Sequence, residues 1–368
     1  MPDLDALILP ALAELDAAGL RRRLVAHDAA LIDVTSNDYL GLSRHPRLIE
    51  RACAWTKKHG AGSRASRLVT GTSEDLLALE ERLARFKGTE AALIFATGFQ
   101  LNSSVLPALL KLGANPLVFT DRLNHASLHA GLAGVKQIRF RHNDLAHLEE
   151  LLERHPGTTR WIVTESVFSM DGDVADVAAL SALAQRHGAY LYLDEAHATG
   201  VLGPQGSGLA QGRATVTMGT LGKALGGAGA YVAGSRLLID WLINACAGFI
   251  YSTAPAPAAL GALDAALELV PAMENERARL MQMAAALRGA LQARGFDTLA
   301  STTQIVPAVL GDTHRALAAA EKLRAARILA VAIRPPTVPA GTARLRFSLS
   351  AALTDGQFER LIDAVTRL

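Results

Sequence analysis

The sequence predicts an α/β fold: a large domain on a mostly parallel sheet with helices on both faces, followed by a smaller C-terminal α/β domain. Three observations carry this reading. Short apolar segments alternate with helical stretches of ten or more residues, the pattern of β-α repeats. Small-residue turns follow directly on the apolar segments. A long alanine-rich helical span, residues 258–294, then separates these repeats from a second group of strands and helices.

Composition bounds the function. The chain has 368 residues, of which 50% are hydrophobic and 20% charged, the profile of a well-packed globular protein. Lysine and arginine number 37 against 35 acidic residues, a formal charge of +2. That balance gives neither a nucleic-acid nor a membrane-surface signal. Cys53 and Cys246 are the only cysteines, too few for a disulfide framework or a thiolate metal site. The first residues carry acids early and no basic stretch, which does not read as a secretory signal. No apolar run reaches about 18 residues. A soluble cytoplasmic protein is the expectation.

Residues 2–24 read as a helix with apolar spacing at Ile8, Leu12, Leu15 and Leu20, ended near Gly19 or the arginines. A turn follows at 36–41, then a helix over 47–59. The loop at 60–72 is rich in glycine and hydroxyl residues and holds Arg64 and Arg67. Residues 75–86 form an amphipathic helix. The first layered unit is a strand at 91–96, a break at Thr97-Gly98 and a helix over 99–110. A strand, small-residue turn and helix in succession present free N–H groups to an anion, although no P-loop lysine or GxGxxG pattern is present. Strands follow at 117–120, 137–140, 161–164, 190–193 and 215–218, with helices at 144–154 and 176–185 between them. Residues 235–245 start another helix and 250–257 turn. The span 258–294 reads as two helices linked near Met283. Beyond it come strands at 304–310, 328–333 and 343–350, a helix at 313–324, and a closing helix from Asp355 capped by Thr354.

In open parallel sheets, ligands sit beyond the carboxyl ends of the strands. Thr97, His125, Ser169, Asp194, His197 and Lys223 all fall there and are expected to converge. Lys223 lies in a glycine-dense turn within TVTMGTLGKALGGAGA, residues 215–230. Desolvation at the end of a buried strand can turn a lysine into an amine nucleophile. Asp194 and His197 have two readings. They are a metal pair, weakened by the lack of a third ligand at a familiar spacing, or Asp194 pairs with a protonated heterocycle. A buried aspartate, a histidine and a glycine-flanked lysine suit pyridoxal phosphate.

Eight segments carry a family resemblance in order along the chain: SNDYLGL (36–42), FATGF (95–99), DRLNHASL (121–128), TESVFSMDGD (164–173), LDEAHATGVLGPQGSG (193–208), TLGKALG (220–226), YSTAP (251–255) and AIRPPTVPAGTARLRFSLSAA (332–352). The chain resembles the α-oxoamine synthase family of fold-type I pyridoxal-phosphate enzymes. The resemblance implies an aspartate aminotransferase-like large domain with a seven-stranded sheet. Its expected divisions are an N-terminal segment at 1–45, a cofactor domain at 46–260, a linking helix at 261–285 and a small domain at 286–368.

It also implies pyridoxal 5'-phosphate as cofactor and roles for residues. Lys223 would bind the cofactor covalently and act as base. Asp194 would pair with the ring nitrogen, His125 would stack on the ring, and His197 and Ser169 would meet the ring hydroxyl. Gly98, Phe99 and Thr220 would bind the phosphate, joined by Ser252 and Thr253 from the partner subunit of a homodimer. Arg21, Asn37, Arg334, Thr337 and Arg346 would bind substrate, with Arg346 on the amino-acid carboxylate. The chain is shorter than the family pattern between Arg23 and Leu31. No metal is expected. The implied reaction is an acyl transfer, a decarboxylative condensation of an amino acid with an acyl thioester. The segment at 332–352 favours L-alanine with a pimeloyl thioester of coenzyme A or acyl carrier protein. Glycine acetylation or another α-oxoamine synthase reaction is the neighbouring alternative, and a non-catalytic subunit on the same fold is disfavoured because Lys223 is present.

Overall fold

A computed structural model describes residues 3–157 and 159–368. Its strands in chain order are β1 (Ile32–Asp33), β2 (Ala91–Phe95), β3 (Leu117–Asp121), β4 (Gln137–Phe140), β5 (Arg160–Glu165), β6 (Tyr190–Asp194), β7 (Val216–Thr220), β8 (Ala230–Gly234), β9 (Ile305–Gly311), β10 (Ile328–Leu329), β11 (Val331–Ile333) and β12 (Ala343–Ser348). Seven of them form one sheet in the order β2-β8-β7-β6-β5-β3-β4. Strands β7, β6, β5, β3 and β4 run parallel. β8 runs against both of its neighbours, so it is the single reversed strand.

Both faces of this sheet are covered, so alternate residues of one strand serve different cores. Along β2, Leu93 and Phe95 pack with Leu101 and Val105 of the helix Gly98–Leu109. Ala92 and Ile94 face the other way, toward Leu76, Leu79 and Leu83 of the helix Glu74–Lys87. Burial on both sides explains why these strands read as continuous apolar runs.

β8 was not anticipated. Its sequence, AYVAG, continues the glycine-rich stretch after Lys223 and reads as more of the same loop. It is a strand because it returns from that loop alongside β7. Gly219 lies opposite Tyr231 in this pairing. A Cβ at Gly219 would come within 2.6 Å of the tyrosine ring, so the glycine gives the ring its place.

Three further expectations need correction. The N-terminal helix spans only Asp5–Ala17 and leaves Arg21, Arg22 and Arg23 outside it. The alanine-rich span breaks at Val270–Ala272, between helices Pro257–Leu269 and Glu274–Ala293, and not near Met283. Pro271 supplies the reason, because it has no N–H to continue the ladder, whereas Met283 is a buried residue inside the second helix. The apolar run 328–333 is two strands in two sheets. β10 pairs in parallel with β1, and β11 pairs antiparallel with β12, which in turn pairs with β9.

The pairing of β1 with β10 matters for the site. It fastens the early chain to the C-terminal sheet. Hydrogen bonds from Ser348 N–H to Val34 O (2.8 Å) and from Ala351 N–H to Tyr39 O (2.8 Å) extend the attachment. Residues 32–40 are thereby laid along the last strand.

Beneath the sheet, Lys87 and Glu195 form an ion pair 2.7 Å long with both side chains at 0% exposure. Glu195 also accepts from Ala210 N–H at 2.8 Å and from Leu209 N–H, and Lys87 donates to Ser207 O. The pair knots the loop that follows β6 to the end of the helix Glu74–Lys87. Removing one partner leaves the other charge buried and uncompensated, at a cost of about 3–5 kcal/mol. We therefore expect Lys87→Met to lower unfolding free energy by that amount in urea titration. A loss under about 1 kcal/mol, the scale of a surface pair, would show that water reaches this pair.

Candidate active site

The parallel strands deliver polar side chains to one edge of the sheet. β5 ends on Glu165, β6 on Asp194 and β7 on Thr220, while β2 leads into Thr97. A cavity of about 230 Å³ lies at this edge, and Gly98, Phe99, His125, Asp194, His197, Thr220 and Lys223 are among its lining residues. A larger cavity of about 490 Å³ lies beside Trp55, Arg64 and Pro255, but no carboxylate lines it. The smaller one gathers the carboxylates, imidazoles and amine.

Lys223 is the centre of the arrangement. Its Nζ lies 2.8 Å from His197 Nε2, and His197 Nδ1 lies 2.6 Å from the Tyr39 hydroxyl. Tyr39 donates to Asn37 Oδ1 at 3.1 Å, which also accepts from Arg346 at 3.2 Å. Because the Asn37 oxygen only accepts, the donors run in one direction, from Lys223 through His197 and Tyr39 to Asn37. Burial lowers the Lys223 amine to about 8, and the nearby Asp194 and Glu165 carboxyls offset part of that effect. Burial, helped by the charges of Lys223 and Arg346, holds His197 well below its ordinary range, so it is neutral.

Asp194 is braced from below. Oδ2 accepts from Asn102 Nδ2 at 3.0 Å and Oδ1 from Ala196 N–H at 2.9 Å. Asn102 is itself fixed, donating to Ser127 Oγ (2.9 Å) and accepting from the Tyr192 hydroxyl (2.7 Å). Burial raises the Asp194 carboxyl, while Lys223 and these donors pull it back. Glu165 is the register partner of Asp194 on the adjacent strand. Burial first, and then Asp194, push its carboxyl well above the usual range. His125 caps the short helix Ala126–Gly131, lies 2.7 Å from Ser127 Oγ, and donates its backbone N–H to Glu165 at 2.5 Å. Burial lowers its imidazole, so the ring stays neutral.

The remaining candidates fall into three groups. Arg346 is buried at the rim, its Nε donating to Ser169 O, with Asn37 and Ser348 beside it. Ser169 thus enters through its carbonyl, and its side chain is not among those lining the Lys223 cavity. Ser252 and Thr253 lie on a separate small cavity, where Gln100 donates to Ser252 Oγ at 2.5 Å. Arg21 pairs with Asp16 at 2.5 Å. Arg334 donates to Gly19 O, and Arg22 reaches Thr337 Oγ1 at 3.3 Å, so these residues fasten the N-terminal segment over 334–337. Sequence reasoning missed Tyr39, Asn102, Ser127 and Glu165. Tyr39, Ser127 and Glu165 stood inside motif segments but carried no signal of what they would face. Asn102 lies one helical turn beyond Gly98 and so turns back to the same strand ends.

The donor set fits pyridoxal phosphate. Thr97 caps the twelve-residue helix Gly98–Leu109 through Gln100 N–H at 3.2 Å, which leaves the first amides of that helix at the cavity for an anion. Asp194 offers a braced counter-charge to a protonated ring nitrogen, and Lys223 an amine of lowered pKa.

Comparison with known proteins agrees. The family model for aminotransferase class I and II matches residues 29–365. A putative 8-amino-7-oxononanoate synthase from Bordetella bronchiseptica is 57% identical over 386 aligned residues, covering 99% of this chain and 97% of that one. The alignment is longer than the chain, so the relative has residues without counterpart here. The 8-amino-7-oxononanoate synthase of Gluconacetobacter diazotrophicus is 56% identical, with 99% and 97% covered. Among solved structures, serine palmitoyltransferase with its pyridoxal phosphate internal aldimine superposes with a TM-score of 0.91 at 27% identity, covering 100% of this chain and 98% of that one. The 8-amino-7-oxononanoate synthase of Francisella tularensis does so at 0.79 and 28% identity, covering 92% and 98%. This chain therefore belongs to the class I and II aminotransferase family of pyridoxal-phosphate enzymes and, within it, to the 8-amino-7-oxononanoate synthases.

Proposed function

We propose that the chain condenses L-alanine with a pimeloyl thioester, of coenzyme A or of acyl carrier protein, releasing carbon dioxide and the free thiol on the way to biotin. The observation that carries this reading is the buried amine of Lys223, hydrogen-bonded to neutral His197 at 2.8 Å in a cavity shared with Asp194. The identity of over half to named 8-amino-7-oxononanoate synthases supports the choice of substrates.

When bound, pyridoxal phosphate supplies an electron sink for the pair left at the amino acid's α-carbon. The rest falls to this chain. Lys223 would hold the cofactor covalently, give it up to the incoming amine, and then take the α-proton on Nζ, a task suited to an amine titrating near about 8. Asp194 would hold the ring nitrogen, His125 would cover the ring, and His197 would meet the ring hydroxyl; Ser169, whose side chain is not among those lining the cavity, would serve through its carbonyl on Arg346. The amides of Gly98 and Phe99 and the Thr220 hydroxyl would hold the phosphate. Arg346 would clamp the alanine carboxylate, steadied by Asn37 and the Ser169 carbonyl. Arg21, Arg334 and Thr337 would act at the acyl-chain side, where they now order the N-terminal segment.

Turnover of alanine, glycine and serine against pimeloyl, acetyl, succinyl and palmitoyl thioesters tests the assignment. Alanine with a pimeloyl thioester is expected to lead in kcat/KM by at least roughly ten-fold. Preference for glycine with acetyl-CoA would make the chain a glycine acetyltransferase instead.

The working unit proposed is a cytoplasmic homodimer with shared sites. Support comes from residues that lack a role in one protomer. Ser252 and Thr253 lie away from the Lys223 cavity, neighbouring Tyr251 is 85% exposed, and the helix Asp5–Ala17 buries none of its side chains, with Leu7 73% exposed. Among the described residues, no helix is long and apolar enough to cross a membrane. Sedimentation is expected to give twice the 38.8 kDa chain mass, whereas an active monomer would rule out shared sites.

A further inference from the structure

A second charged cluster lies outside the cavity, at the ends of β3 and β4. His142 follows β4. Its Nδ1 is 3.0 Å from Asp121 Oδ1 and its Nε2 is 2.8 Å from Asp173 Oδ2. The ring stands edge-on to Phe168, with centroids 4.3 Å apart and planes at 90°. Both ring nitrogens face carboxylate oxygens, so both carry protons and the ring is an imidazolium. Its hydrogen bonds and charge contacts with Asp121 and Asp173 outweigh burial and raise it to about 10. Asn143 completes the knot, with its N–H on Asp121 at 2.9 Å and its Nδ2 on Asp173 at 2.6 Å. An imidazolium has no lone pair for a cation, and the nearby Asp171 is already paired with Arg344, so this is not a metal site.

Asp173 closes the loop of residues 166–175. Phe168 N–H bonds Asp173 O at 3.1 Å, Ala175 N–H bonds Ser166 O at 3.0 Å, and Val167 bridges Val174. The far side of this loop docks on the C-terminal sheet. Gly172 O accepts from Thr302 N–H at 3.1 Å and from Thr303 Oγ1 at 2.8 Å. A Cβ at Gly172 would meet Ile305 O at 2.0 Å, and its φ is +71°, so the fit has no slack. Asp171 and the Met170 carbonyl receive Arg344, and the Ser169 carbonyl receives Arg346 Nε.

We propose that His142 is a positioning residue. Wedged between Asp121 and Asp173, it fixes the 166–175 loop, and through the Ser169 carbonyl it fixes the direction of the Arg346 guanidinium. This rests on the reading of Arg346 as the clamp for the amino-acid carboxylate. His142 is not among the residues lining the Lys223 cavity. Its loss should weaken alanine binding and leave the chemistry of bound alanine and the hold on the cofactor nearly intact.

The test is a double-mutant cycle on the cofactor-loaded enzyme with His142→Asn and Arg346→Lys, reading KM and kcat for L-alanine together with the spectral titration by alanine. His142→Asn alone is expected to raise KM and the titration midpoint by at least roughly ten-fold, the scale of one charge-assisted hydrogen bond, with kcat and cofactor affinity changed less than about two-fold. In the Arg346→Lys background it should add little, because the residue it positions is already gone. An equal effect of His142→Asn in both backgrounds, or a fall in kcat at unchanged KM, would overturn the proposal. Should His142→Asn fail to fold, Asp173→Asn, which keeps the His142–Asp121 pair, carries the same expectations and the same contrary outcomes. If Arg346→Lys itself leaves alanine KM unchanged, the clamp reading fails, and it fails separately from the response to His142→Asn in the wild-type background.

Discussion

Desolvation at the carboxyl edge of the seven-stranded sheet is the constraint on which the site depends. Lys223, Asp194 and Glu165 are brought out of water together, and burial works against the charged form of each. The amine is pulled down and the carboxyls are pushed up, so their proton affinities are drawn toward one another. The surroundings are built to hold that state. Asn102 and the Ala196 amide brace Asp194, the His125 amide occupies Glu165, and neutral His197 receives Lys223. Such a pocket is poised to accept a ring that brings its own proton to Asp194 and a carbonyl carbon to Lys223.

The second theme is that the site is assembled from distant parts of the chain. Asn37 and Tyr39 reach it because β1 pairs with β10 and the early chain then follows β12. Arg346 reaches it from β12 itself. The 166–175 loop is the joint between the sheets, held by an imidazolium on one side and two arginines on the other. A continuous run of donors, Lys223 to His197 to Tyr39 to Asn37, with Arg346 at its end, ties the amine to the rim. Hydrogen bonds thus run without a gap from Nζ to the residues at the rim.

Much of this was legible in the sequence, for identifiable reasons. Strands buried on both faces announce themselves as apolar runs, and helices such as Glu74–Lys87 by their period and Asp355–Val365 by its cap at Thr354. β8 is hidden because its small residues continue a glycine loop, and its pairing with β2 and β7 shows it to be a strand. The helix break falls at Pro271, whose missing N–H is readable in the sequence, and not near Met283. Lys223, Asp194, His197 and His125 stand out in the sequence because motif and strand-end position coincide, and they line one cavity. Asn102 and Glu165 do not stand out, because what a buried polar group does depends on what faces it across the sheet. Arg21 and Arg334 show the converse. The family resemblance implied a ligand for each, and in this conformation Arg21 is occupied by Asp16 and Arg334 by the Gly19 carbonyl.

The central claim is that the buried Lys223 amine carries the cofactor. Reconstitution with pyridoxal phosphate, reduction with borohydride and peptide mapping address it directly. The label is expected on Lys223 alone, and the rate of loading is expected to rise as the pH passes about 8, where this amine loses its proton. Label on another lysine, or none while the fold is intact, would contradict the account.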